Sequence, residues 1–195
     1  MRQLLLVLWM ALWLAAPPPA SAAAALYHLD QRYGTVEFSV GILGLFDAQG
    51  RFPRFAGDLL LDLEQPEHSQ IDVAIDTGAV EMPIQDQTDL LRSAAYFDVA
   101  HYPDAHFASN AIQPLSPTHY LIHGTLQLRG VTRLQDLDAT VQDRHLDKAR
   151  GVEVADFVIR GEIRRSAFGM VADRPMLSDS VRIDIRIRLE VGLAR

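Results

Sequence analysis

Apolar and polar residues alternate with period two along most of this chain. The clearest run is Val181 to Val191, where Val181, Ile183, Ile185, Ile187 and Leu189 share one face and Arg182, Asp184, Arg186, Arg188 and Glu190 the other. Side chains on a strand point alternately to its two faces, so the run predicts a β-strand buried on one side only. The same rhythm sets Val36, Phe38, Val40 and Ile42 on an early strand. It then groups Leu59, Leu61 and Leu63, followed by Ile71, Val73 and Ile75. Tyr120, Ile122, Leu126 and Leu128 come next, and after them Leu137, Ala139 and Val141. Between Val152 and Ile163 the phase changes, from Val152 and Val154 to Phe157, Ile159 and Ile163, which predicts a bulge near Asp156.

Glycine and proline punctuate these runs, among them Gly34, Gly50, Pro66, Pro117, Gly130, Gly151 and Pro175. One short amphipathic helix is predicted between strands, over Ile84 to Ala95, with Leu90, Leu91 and Ala94 on its apolar face. After Tyr102-Pro103 an extended segment begins, because proline fixes its own φ and biases the preceding residue towards β. The pattern amounts to about eight antiparallel strands in an all-β domain. A sandwich shares this alternation. A closed barrel is preferred because closure removes the unpaired edges that invite aggregation.

The N-terminus reads as an export signal. Arg2 provides a thin positive start, Leu4 to Ala16 is uninterruptedly apolar, and Pro17-Pro18-Pro19 ends that run. The run is short for a spanning helix, which needs roughly 20 residues. Ala20-Ser21-Ala22 offers a small-residue cleavage site, so a signal over 1–22 is expected, with cleavage after Ala22 to Ala25 and a single domain over 26–195. The expected location is the periplasm. A formal net charge of −7 argues against binding a phosphate backbone. With no cysteine, there is no disulfide, thiol nucleophile or cysteine-based metal site.

The seven histidines show no compact ligand spacing and are read as surface groups, with His106, His119 and His123 on polar faces and no metal expected. Ser93, Asp98 and His101 are close in sequence, but nothing around them resembles a nucleophile elbow, and no catalytic residue is assigned. Asp86 and Asp89 are read as capping or solvating the short helix. Arg92, beside Ser93, lies towards the rim of the helix face. It either ties the helix to the strands or meets a ligand oxygen. Arg133 and Arg165, next to turns, carry the same two readings.

Several segments, in order, resemble one known family. Gly50, Phe52, Phe55, Gly57 and Asp62 resemble its early glycine and phenylalanine pattern. Leu91-Arg92-Ser93 with Phe97-Asp98 and Tyr102-Pro103 resembles its central signature. Gly124, Leu126, Leu128 and Gly130-Val131-Thr132-Arg133 resemble its hairpin, and Arg165, Phe168 and Gly169 its closing motif. The family is that of the YceI-like proteins, secreted bacterial lipocalin-like barrels. The resemblance implies an eight-stranded antiparallel barrel whose interior binds a polyisoprenoid chain, as a quinone tail or prenyl phosphate. It implies no covalent cofactor and no enzyme activity. Ile42 and Leu90 stand where family members commonly carry histidine, so the resemblance reaches the ligand's tail and leaves its head group unassigned.

On that reading Phe38, Val40, Ile42, Leu91, Arg92, Phe97, Phe107, Ile122, Leu126 and Phe168 are the expected ligand-binding residues. The expected function is periplasmic binding, storage or transport of an isoprenoid or quinone-like lipid. An inner-membrane protein is a candidate partner, nucleic acid is not, and the oligomeric state, a dimer included, is open. Two rival readings stand beside it: a small secreted hydrolase acting on a lipid-like substrate, and a ligand-free interaction barrel whose inward residues fill a solid core.

Overall fold

A computed structural model of the protein describes residues 24–62 and 65–191. The expected signal and Leu63 lie outside them. Ten strands form one sheet: β1 (Ala25–Asp30), β2 (Gly34–Ile42), β3 (Phe46–Arg51), β4 (Phe55–Leu61), β5 (Gln70–Asp76), β6 (Asp104–Ser116), β7 (His119–Leu128), β8 (Val131–Asp147), β9 (Val152–Arg164) and β10 (Leu177–Val191). A single α-helix among the described residues, α1 (Gln85–Arg92), lies between β5 and β6. The strand order is β1-β4-β5-β6-β7-β8-β9-β10-β2-β3, with each neighbouring pair antiparallel.

The expected eight-stranded closed barrel is therefore corrected to a curled sheet of ten strands. No ladder joins its outermost strands, β1 and β3, among the described residues. The curl is visible in the packing. Leu29 of β1, Val36 of β2, Phe55 and Leu59 of β4, Ala155 of β9 and Leu189 of β10 share one core cluster, although β4 and β9 are far apart in the sheet.

The two strands missed by pattern are the ones with weak alternation. β1 buries only Leu29, and its Leu26 is exposed. β3 reads FDAQGR, with Phe46 turned to solvent and only Ala48 and Gly50 less exposed. The small size of Gly50 is required: a Cβ there would lie 2.3 Å from the Phe38 ring and 2.5 Å from Met82 Sδ. The expected bulge is also displaced. The β9–β10 ladder runs unbroken past Asp156, and the irregularity falls on β8 between Val141 and Asp143, opposite Phe157 and Asp156. One extra residue in the partner strand gives the same local bend.

The helix is shorter than expected and turns a different face inward. Thr88 is its buried residue, while Leu90 and Ala94 are exposed. The Thr88 hydroxyl accepts a hydrogen bond from the Met82 backbone N–H at 2.9 Å and so fixes the approach to the helix.

Register places four connections at one end of the sheet: the β2–β3 turn, the α1-bearing stretch between Asp76 and Asp104, the β7–β8 turn, and the stretch from Arg165 to Met176. This is called the helix end. The β4–β5, β6–β7 and β8–β9 connections lie at the opposite end.

Candidate functional site

The inward faces of the strands enclose a cavity of about 690 Å³. It falls within the size range of small-molecule sites, roughly 300–1,000 Å³. Its wall draws Val36, Phe38, Val40 and Ile42 from β2, Leu59 and Leu61 from β4, Ile71, Val73 and Ile75 from β5, and Val181, Ile183, Ile185 and Ile187 from β10. These are the apolar halves of alternating strands, so the local rule that builds each strand also makes the wall continuous and oily.

Several inward residues are only half-buried. Ile71, Val73, Ile75, Leu137, Ile183, Ile185 and Ile187 all line the cavity and all keep intermediate exposure. Side chains packed across the interior would leave no space of this size, so these inward residues face a hollow.

The helix end is packed shut on one side by segments that pattern did not assemble. Phe38, Val80, Phe97, Ala105, Leu128, Phe168 and Met170 form a second core cluster. The Phe52 ring lies 5.2 Å from that of Phe38 and meets that of Phe97 edge-on at 5.6 Å. Arg165, 3 % exposed, donates to the carbonyls of Ser178 at 2.8 Å, Met170 at 3.0 Å, Ala172 at 2.6 Å and Leu177 at 3.1 Å. Its guanidinium thus lashes down the β9–β10 connection. Arg129 donates to Gly169 O at 2.9 Å and Ala94 O at 2.7 Å and ties three connections together. A basic residue at the start of a tight turn is the only signal sequence could have offered for it.

Polar groups reach the cavity near its two ends. At the helix end, Tyr96 donates its hydroxyl proton to Asp173, and Gln87 of α1 also lines the cavity. Burial, then this bond and the Asp173 charge, push the Tyr96 hydroxyl up to about 12. At the opposite end the wall includes Asp62, Ser69, Thr118 and Arg144. Asp62 is buried and accepts from the Gln65 N–H, and Arg144 is held by Glu153.

Of the expected ligand-binding residues, Phe38, Val40, Ile42, Leu91, Phe97, Phe107, Ile122 and Leu126 are brought together in the wall. Phe168 and Arg92 are not in it. Phe168, 2 % exposed, belongs to the packed helix end. Arg92 donates to the Val80 carbonyl at 3.2 Å and pairs with Asp89 at 3.6 Å, so it ties the helix down. Among the described residues Arg133 donates only to the adjacent Thr132 carbonyl.

Six of the seven histidines meet an aspartate. His28–Asp58, His101–Asp98, His106–Asp72, His119–Asp138, His123–Asp136 and His145–Asp143 lie at 2.6 to 2.9 Å. Ser93 donates its hydroxyl proton to the Leu90 carbonyl at 2.6 Å, which closes the helix C-terminus. Asp98 and His101 do pair, but Ser93 is committed elsewhere.

A sequence model of the YceI-like domain matches residues 27–189. The chain belongs to the YceI-like family. Protein YceI of Salmonella arizonae is 30% identical over 169 residues, covering 86% of this chain and 87% of that protein. Among solved structures, Burkholderia cenocepacia BcnA superposes with a TM-score of 0.73 at 22% identity, over 83% of this chain and 99% of that one. A Saccharophagus degradans polyisoprenoid-binding domain superposes with a TM-score of 0.62 at 15% identity, over 87% of this chain and 99% of that one. YceI-like membership accounts for the order of the four motifs along the chain, and all four contribute residues that face the cavity or close its helix end.

Proposed function

We propose that this protein is a periplasmic carrier or store for an isoprenoid or quinone-like lipid, held inside a lipocalin-like curled barrel, and that it performs no catalysis. The observation that carries this reading is the set of half-buried inward residues along β5 and β10. Wall side chains facing open space gain contacts only when something fills it. A hydrocarbon chain gains roughly 0.8 kcal/mol for each CH₂ removed from water, so few polar contacts are needed for retention. The YceI-like relatives, the solved polyisoprenoid-binding domain and the apolar leader expected over 1–22 support the same reading.

The wall residues Phe38, Val40, Ile42, Leu91, Phe97, Phe107, Ile122 and Leu126 bind the tail. Gln87, Tyr96 and Asp173 at one end and Asp62, Ser69 and Arg144 at the other offer neutral or paired polar groups to a head group. The hydrolase alternative asks for a free nucleophile, and Ser93 spends its proton on a backbone carbonyl. The filled-barrel alternative asks for buried inward residues where this chain has half-buried ones.

Organic extraction of the purified protein followed by mass spectrometry is expected to release one long-chain apolar lipid per chain. Ile122→Asp and Ile42→Asp are expected to lose that lipid while retaining strand circular dichroism. Protein that yields no lipid and takes up no isoprenoid quinone from micelles would sink the proposal.

A further inference from the structure

The helix end carries exposed apolar side chains, and two of them, Leu90 and Met176, also line the cavity, which therefore reaches the surface there. Ile42, Ala48, Leu90 and Met176 line the cavity there. Leu43, Leu45 and Phe46 follow directly on Ile42 and are 60, 75 and 70% exposed, with Met176 at 55%. Leu43 and Met176 are neighbours, because the Leu43 N–H donates to the Met176 carbonyl at 2.8 Å.

The turn itself is unusual in its residue choice. Leu43 and Gly44 both have positive φ, 52° and 68°, and the Leu45 N–H closes the turn on the Ile42 carbonyl at 3.0 Å. Such turns favour Asn, Asp or Gly at both central positions. A leucine there sits in a backbone region unfavourable to branched apolar side chains, so this one is held exposed at a conformational cost.

The charges around the tip are already satisfied. Asp47 pairs with Arg182, Arg174 with Asp179 and Arg51 with Glu81, each at 2.6 Å. At the opposite end, the β6–β7 and β8–β9 turns, Pro117-Thr118 and Lys148-Ala149-Arg150-Gly151, carry no large apolar residue. Leu26, Leu115 and Leu146 are exposed near it, but singly and on separate strands.

We infer that the helix end is a membrane-docking rim: Leu43, Leu45, Phe46 and Met176 enter the interface of a lipid bilayer and set the cavity mouth against it. The inference rests on the cavity holding a lipid, whose only sizeable reservoir is a bilayer. A mouth whose apolar lining continues onto an apolar rim lets a chain pass without crossing water. Interfacial binding scales with buried apolar area, and a rim of paired charges on a chain of net charge −7 has nothing to offer an anionic head group.

The chain lacks cysteine, so single cysteines can be labelled cleanly. An environment-sensitive fluorophore on Leu45→Cys is expected to blue-shift on adding phosphatidylcholine vesicles and to be quenched by bilayer-borne doxyl lipid. The same label on Lys148→Cys, at the opposite end, is expected to stay unchanged. Phe46→Asp in the labelled Leu45→Cys protein is expected to weaken the vesicle response about tenfold, with Phe46→Ser as a milder variant. Neither phosphatidylglycerol nor about 0.5 M salt should alter it much.

An unresponsive Leu45 label, equal responses at both ends, or a response that needs anionic lipid would overturn the rim. So would a label already shifted in a dimer without vesicles, which assigns the face to a second copy. Mass spectrometry of the same samples separates the two claims: a retained lipid load with a silent rim defeats only the docking, and an empty cavity defeats the carrier reading itself.

Discussion

Two regions of this sheet use the same residue types and reach opposite packing states. At the helix end, Val80, Phe168 and Met170 are 0, 2 and 4% exposed and interlock with Phe38, Phe97 and Leu128. Along β5 and β10, Ile71, Val73, Ile185 and Ile187 point inward and stay half-buried. Composition cannot separate the two regions; architecture does. The packed end is assembled from connections that fold back between strand ends, whereas the wall is backbone ladder alone. Ladder hydrogen bonds hold the strands apart at fixed spacing, so wall side chains cannot collapse across the gap as loop-borne ones can.

The largest expected effect comes from breaking the packed end. Phe168→Ala should cost about 3–5 kcal/mol, the usual range for a fully buried phenylalanine. Ile185→Ala should cost about 1 kcal/mol or less, below the usual range for a buried isoleucine, since part of its surface already faces open space. Urea denaturation of both variants measures the difference. Equal losses would mean that the wall is packed as tightly as the end.

Arg165 should come next. Arg165→Met keeps much of the volume but strands four carbonyls that the guanidinium now satisfies. A loss of about 3 kcal/mol is expected, and hydrogen exchange should rise first in residues 169–178, because those carbonyls hold the connection down. A smaller loss spread evenly over the sheet would show that the connection stands without this residue.

Much of this contrast was legible before the fold was known, and the illegible part has a physical cause. Val36 to Ile42 and Val181 to Leu189 announced their strands because one face is buried and the other solvated. β3 did not, since its inward positions are Ala48 and Gly50 and its one large apolar residue, Phe46, faces solvent. The wall residues Phe38, Ile122 and Leu126 were foreseeable from alternation. Phe168 was not separable from them, because an apolar residue in the chain's closing motif can face a cavity or a plug with equal fitness. Arg129 and Thr88 were invisible, since each works through backbone carbonyls or N–H groups brought together only by the fold.

Filling the hollow sharpens the comparison with a smaller effect on stability. An enlarged side chain in a packed core costs about 1–3 kcal/mol. Ile185→Trp should cost well under that, because the added ring enters open space, and extracted lipid should fall in proportion to the volume taken. The equivalent enlargement at Val80, which has no exposed surface, should unfold the protein. If Ile185→Trp is as damaging as a packed-core enlargement, the cavity does not persist in solution.

The smallest effect separates the two regions by pH. Tyr96 closes the helix end with its hydroxyl on Asp173, and burial together with that carboxylate raises it from the ordinary 10 to about 12. The unfolded chain therefore loses this proton first. The contribution of Tyr96 is complete below about pH 10 and disappears as pH rises through about 12. Tyr27 on β1 is also raised by burial and by the charge of Glu153, so the wild-type slope contains both tyrosines. Subtracting Tyr96→Phe isolates the helix end. The variant should be slightly less stable at neutral pH, because Asp173 loses a donor but is itself exposed to water, and should lose less stability between about pH 9 and pH 11.5. Urea midpoints across that window measure the slope. Parallel slopes in variant and wild type would mean that Tyr96 titrates as an ordinary tyrosine, with its hydroxyl in water and the packed end looser than its side chains indicate.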